Sequence, residues 1–111
     1  MTYTISKDHT FSASHILHGL PDDHPCGRLH GHNYTIRITL TGRTLDRHGF
    51  LLDYNLLRPF TRWIDDTLDH RHLNDVAPGQ PSAENLSRWL SDTALTLLDL
   101  PLGVTVTVAV S

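Results

Sequence analysis

Along this chain apolar residues recur at every second position in some stretches and at helical spacing in others. Thr2 to His15 alternates loosely and closes on Phe11, Ala13 and His15, which share one face of an extended segment. Asn33 to Arg43 alternates clearly, with Tyr34, Ile36, Ile38 and Leu40 on one side, and its β-branched residues suit a half-buried strand. Between them, Ile16 to Gly31 carries Gly19, Pro21, Asp22, Asp23, Pro25 and Gly27 and reads as a loop. A turn through Asp46, Arg47, His48 and Gly49 leads to a short predicted strand, Phe50 to Asp53.

The pattern then lengthens to helical spacing. Asp53 is placed to cap a helix whose apolar stripe is Leu56, Leu57, Phe60, Ile64 and Leu68. Pro59 falls inside that span, so the regular helix is predicted to begin near Asn55, where a missing amide costs less. Ser82 caps a second helix, with Leu86, Trp89, Leu90 and Leu97 or Leu98 facing inward, and Pro101 and Gly103 end it. Val104, Val106, Val108 and Val110 form a last strand. Strand, strand, strand, helix, helix, strand is an α+β order with the helices on one sheet face.

A length of 111 residues suits one domain, residues 1–111, able to bury roughly two-thirds of its unfolded surface. The net charge of -3 gives no basic stripe for a nucleic-acid partner. No basic-then-apolar leader and no apolar run of about 18 residues is visible, so no membrane association is expected and the reading is cytoplasmic. The single cysteine, Cys26, makes no internal disulfide, which fits a reducing compartment. Nine histidines change the picture more, because they cluster; Glu84 is the one glutamate. The arginine-rich basic set suits triphosphate recognition but follows equally from genomic base composition, and no argument is placed on it.

His30-Gly31-His32 enters the second strand, and period 2 puts both imidazoles on one face. His15 ends the first strand and reaches the same point if the two strands pair across the loop. Three neutral imidazoles without a fourth protein ligand describe a catalytic zinc site with an open position; an isolated His-x-His, by contrast, is usually a surface or core accident. Cys26 lies four residues before His30. Its thiol reads as a base or nucleophile ionised below its free pKa of about 8.5, as a small buried hydrophobe, or as a fourth ligand that would close the site. In Leu68-Asp69-His70-Arg71-His72-Leu73-Asn74 a carboxylate stands beside an imidazole whose tautomer it can fix, although a polar helix-terminal loop would look the same. Glu84 sits in the first turn of a helix, where a negative charge is favourable in its own right.

Taken together these motifs resemble the 6-pyruvoyl/6-carboxytetrahydropterin synthase family. Phe11-x-Ala13-x-His15 is similar to its first zinc-ligand motif, and Cys26-Gly-Arg-Leu-His30-Gly-His32-Asn-Tyr34 to its catalytic-cysteine and paired-ligand motif. Asp53-Tyr54-x-x-Leu57-Arg58, Leu68-Asp69-His70-x-x-Leu73-Asn74 and Pro81-Ser82-x-Glu84-Asn85 follow in the family's order. The resemblance spans nearly the whole chain. It implies a tunnelling fold, with a four-stranded antiparallel sheet carrying two helices on one face, assembled as a hexamer of two stacked trimers with active sites between subunits. It also implies zinc on His15, His30 and His32, Cys26 as the base, Asp69 and His70 as proton relay, and Glu84 holding the pterin ring.

Three residues between Cys26 and His30 resemble the bacterial carboxy-forming branch, whereas pyruvoyl-forming members typically carry a longer gap. The implied substrate is 7,8-dihydroneopterin triphosphate, converted to 6-carboxy-5,6,7,8-tetrahydropterin with release of acetaldehyde and triphosphate, toward queuosine or other 7-deazapurines. The alternatives are a 6-pyruvoyltetrahydropterin synthase and a catalytically silent pterin- or metal-binding relative. Two departures stand out. Ala83 replaces a residue that often bears a hydroxyl, and Val108-Ala109-Val110-Ser111 reaches only the position before a glutamate that family members typically carry. The resemblance therefore implies weak pterin anchoring unless a neighbouring subunit supplies a carboxylate.

Overall fold

In the computed structural model, which describes residues 1–111, β1 (Tyr3–His15) and β2 (His30–Gly42) run antiparallel along their full lengths. The register sets Phe11 opposite Tyr34 and His15 opposite His30. The rings of Phe11 and Tyr34 stack at 4.9 Å. Beyond them α1 (Arg58–Thr67), β3 (Arg71–His72), the single turn α2 (Leu73–Val76), α3 (Ala83–Leu97) and β4 (Thr105–Val110) complete the fold. The sheet order is β3-β1-β2-β4.

The expected antiparallel sheet is corrected to a mixed one, since β3 lies parallel to β1 at Ala13 and Ser14. The cause is the α1 crossover, which returns the chain to the β1 edge travelling in the same direction. His70, with φ 58°, makes the turn. Its N–H donates to the Ser12 carbonyl at 2.6 Å, while Asp69 Oδ1 accepts the Ser12 N–H at 2.9 Å. His70 is thus a non-glycine residue in the left-handed region, where histidine is among the more tolerated types.

The expected strand at Phe50 to Asp53 does not form. The Asp46 carboxylate accepts the N–H groups of His48 and Phe50, and the Asp46 N–H donates back to the Phe50 carbonyl. Leu51 and Leu52 are then both buried in succession, which no alternating strand face allows. The first helix also starts later than expected. Asp53 caps a 3-10 turn, Tyr54–Leu57, and α1 begins only at Arg58, with Pro59 in its first turn where a missing amide is harmless. Ser82 caps α3 as expected, accepting the Asn85 N–H at 3.2 Å. Leu98 is the inward leucine, while Leu97 is exposed.

One sheet face and the two longer helices close a single core. Ile36, Ile38 and Leu40 of β2 are fully buried against Phe60 and Ile64 of α1 and Leu86, Leu90 and Ala94 of α3. Each of the isoleucines, leucines and the phenylalanine among them contributes about 1.5–3 kcal/mol by burial. The other face bears Thr4, Ser6, Asp8, Thr10, Arg37, Thr39, Thr105 and Thr107, and an Asp8–Arg37 ion pair at 2.9 Å crosses it. The molecule measures 56 × 26 × 20 Å because its two central strands are each 13 residues long. No helix is long and apolar enough to cross a membrane.

Candidate active site

The end of β1 and the beginning of β2 meet at one edge of the core, and their register delivers the three histidines. His15 faces His30 directly, and His32 lies opposite Ala13, two residues along. Alternation puts all three on the helix-bearing face, as the sequence pattern predicted. Their ligand nitrogens lie within 4.8 Å of one another. Ring centroids are 4.5 Å apart for His15–His30, 4.7 Å for His30–His32 and 5.1 Å for His15–His32.

Hydrogen bonds fix the tautomers of two rings. His15 Nδ1 donates to the Pro81 carbonyl at 2.7 Å, and His30 Nδ1 donates to the Arg28 carbonyl at 2.6 Å. A carbonyl oxygen can only accept, so both protons sit on Nδ1 and each neutral ring presents a bare Nε2. Those two Nε2 atoms lie 2.9 Å apart. Two lone pairs at that distance repel unless a cation or an extra proton stands between them. Backbone carbonyls behind the ring are also the usual second layer of a metal-binding imidazole. The donor set, three imidazoles and no thiolate, suits zinc.

His15 is 5 % exposed, and its burial, ahead of the neighbouring imidazoles, lowers its pKa in spite of the bond to Pro81. The neutral, ligating form is the one that burial favours. Tyr34 completes the wall. Its hydroxyl stands 3.4 Å from His15 Nδ1, and burial pushes its pKa up to about 12, so it stays protonated.

Cys26 lies in a 3-10 turn, Pro25–Gly27, where its N–H donates to His24 Nδ1 at 3.1 Å. The thiol is half-buried and free. It lies outside the cluster of ligand nitrogens formed by His15, His30 and His32. Asp69 Oδ2 and His70 Nδ1 pair at 3.0 Å. The Ser12 N–H, then His70, hold the Asp69 carboxyl below the usual carboxylate range. His70 and His32 line one open groove of about 500 Å³, together with Ser14, Asn33, Arg71 and His72. Glu84 is exposed in the first turn of α3, three residues beyond the Pro81 that holds His15.

Sequence reasoning passed over several neighbours. Tyr34 shares the His30 and His32 face by period 2 and was legible in principle. The Pro81 carbonyl, the Ser14–His72 bond at 3.0 Å and the Asn74 side chain join positions 58 or more residues apart, and no local pattern encodes that.

Known proteins agree with this architecture. Residues 4–110 match the 6-pyruvoyl tetrahydropterin synthase family. The 6-carboxy-5,6,7,8-tetrahydropterin synthase of Bacillus subtilis is 36% identical over 107 residues, spanning 88% of this chain and 69% of that protein. The Rickettsia bellii enzyme of the same name is 32% identical over 102 residues, spanning 74% of this chain and 72% of its own. The solved 6-pyruvoyl tetrahydropterin synthase of Caenorhabditis elegans superposes with a TM-score of 0.80 at 24% identity, covering 100% of this chain and 95% of that one, a likeness of fold. A match over nearly the whole chain, with the three histidines converging where β1 meets β2, makes this protein a member of the 6-pyruvoyl tetrahydropterin synthase family.

Proposed function

We propose that this chain is a zinc-dependent 6-carboxy-5,6,7,8-tetrahydropterin synthase acting on 7,8-dihydroneopterin triphosphate. The observation that carries the reading is the imidazole trio, with Nδ1 of His15 and of His30 tied to carbonyls and both Nε2 atoms turned toward one point. The names of the Bacillus and Rickettsia relatives support the carboxy-forming branch. His15, His30 and His32 would hold the ion. When bound, zinc supplies Lewis acidity toward the hydroxyls of the substrate side chain and keeps a position open for them.

The remaining work belongs to this chain's own groups. Cys26, as thiolate, accepts the proton from the side-chain carbon beside the ring. Asp69 stays ionised and orients His70, whose imidazole moves protons between Cys26 and substrate. Glu84 accepts N–H bonds from the pterin. The first side-chain carbon ends as the carboxylate, the other two leave as acetaldehyde, triphosphate departs, and one water balances the atoms. The product would feed queuosine or another 7-deazapurine in the cytoplasm.

The assembly that fits is a hexamer of two stacked trimers with sites between subunits. Its support is the sheet itself. β4 is an outer strand and β3 covers only Ala13 and Ser14 of β1, which leaves backbone groups on both edges free to pair. Incubation of the zinc-loaded protein with 7,8-dihydroneopterin triphosphate, followed by mass spectrometry and aldehyde trapping, tests the activity. Carboxytetrahydropterin with an equivalent of acetaldehyde is expected. A product that keeps the three-carbon side chain would assign the pyruvoyl-forming reaction in its place, and no turnover with zinc bound would make the chain a binding protein.

A further inference from the structure

Strand β3 stops after two residues, yet contact along β1 resumes two positions further, at Ile16, by another means. Ile16 donates its N–H to Asn74 Oδ1 at 2.9 Å, and Asn74 Nδ2 donates to the Ile16 carbonyl at 2.9 Å. A carboxamide carries the same donor and acceptor as a peptide unit. Asn74 therefore stands in for a further residue of β3, although its own backbone has already entered α2.

The residue it grips lies between the two parts of the proposed site. His15 comes immediately before Ile16. Leu17 comes immediately after, and its N–H donates to the Cys26 carbonyl at 3.0 Å. One side chain thus fixes the peptide that joins the metal ligand to the loop bearing the thiol. We propose that Asn74 is a positioning residue that braces the end of β1, where His15 stands opposite His30, and, through Leu17, holds the Cys26 turn against that end. The proposal rests on the roles given to His15 and Cys26 above.

Without the carboxamide, Ile16 loses both partners in a part-buried setting. The end of β1 then keeps only its ladder to β2 and the Pro81 bond to hold His15, with two part-buried backbone groups of Ile16 left unpaired beside it. Groups that orient a metal ligand, directly or through the neighbouring backbone, act on its affinity, and loss of a direct partner weakens the ion by about 10- to 100-fold.

The test compares the full chain with Asn74→Ala, Asn74→Asp and Ser87→Ala. Ser87 Oγ donates to the Val108 carbonyl at 2.7 Å, so its removal costs a part-buried hydrogen bond remote from the clamp. Three quantities are read: zinc affinity by chelator competition, the rate of Cys26 alkylation by iodoacetamide, and the melting temperature. Cys26 is the single cysteine, so alkylation reports on it alone. Asn74→Ala is expected to weaken zinc by ~10-fold or more and to speed alkylation, with Ser87→Ala changing only the melting temperature. Asn74→Asp keeps the acceptor for the Ile16 N–H and loses the donor, so an intermediate effect is expected; it decides the matter should the alanine variant not fold. Equal zinc affinity and alkylation in the Asn74 variants and the parent would overturn the proposal, as would the same changes in Ser87→Ala. A parent that binds zinc but makes no product would defeat the synthase reading alone, because neither readout requires substrate.

Discussion

Nε2 of His15 and Nε2 of His30 face each other at 2.9 Å, each on a ring whose other nitrogen is committed to a backbone carbonyl. Such a pair has capacity for a metal cation or a shared proton between the two nitrogens. One zinc per chain is therefore expected, with Zn–N distances of roughly 2.0–2.1 Å. His30→Ala should lose most of that zinc by elemental analysis while keeping its circular dichroism, because the core lies elsewhere. Full retention of metal in this variant would remove His30 from the ligand set.

Cys26 stands outside the cluster of imidazole nitrogens. Cys26→Ala is accordingly expected to keep its zinc and its fold but to lose turnover by ~10²-fold or more, the usual scale for a removed general base. Metal content and single-turnover rates measured on the same preparation separate the two effects. A zinc-free Cys26→Ala protein would contradict the assignment to proton transfer.

Asp69 has its carboxyl pKa depressed by the Ser12 N–H and then by His70. A depressed carboxylate contributes stability above its unfolded value of about 3.9, and that contribution fades as pH falls through the lower folded value. Asp69→Asn should thus lower stability at neutral pH, with the gap to the parent closing as pH falls below about 4. Turnover near neutrality should also fall, since an amide cannot hold the His70 tautomer in the same way. An unaltered pH–rate profile in the variant would show that the pair takes no part in proton transfer.

Gly42 tests the packing at the far end of β2. A Cβ added there would meet Leu51 Cδ1 at 2.7 Å and Val104 Cγ2 at 3.3 Å. Both neighbours belong to the seam between the loop after β2 and the start of β4. Gly42→Ala should cost about 1–3 kcal/mol in denaturant unfolding, the scale of an overpacked core, with zinc stoichiometry untouched.

The sequence made some of this legible and not the rest, for physical reasons. Period-2 alternation located β1 and β2 and put His15, His30 and His32 on one face, since alternation is a local property. Ser82 announced α3 because a cap is also local. The parallel strand at Arg71–His72 was hidden, as two residues carry no periodicity and their pairing depends on where the α1 crossover returns them. Phe50 to Asp53 misled because four apolar-rich residues look alike whether they form a strand or line a loop held by Asp46. The carbonyl of Pro81 behind His15 lies 66 positions away in the chain, so the geometry that fixes the tautomer appears only when the fold is complete.

The length of β1 and β2 has a consequence for how the protein behaves in solution. A radius of gyration of 15.9 Å exceeds the roughly 13 Å typical of a folded chain of about 100 residues. An elongated slab spends more of its surface on water than a sphere of the same mass, and a lone chain retains a correspondingly thinner margin against unfolding. If neighbours cover that surface, mass action makes the margin a function of how many neighbours are available. The midpoint of thermal unfolding should then climb with protein concentration across a dilution series, and a concentration-independent midpoint would mean that each chain stands alone.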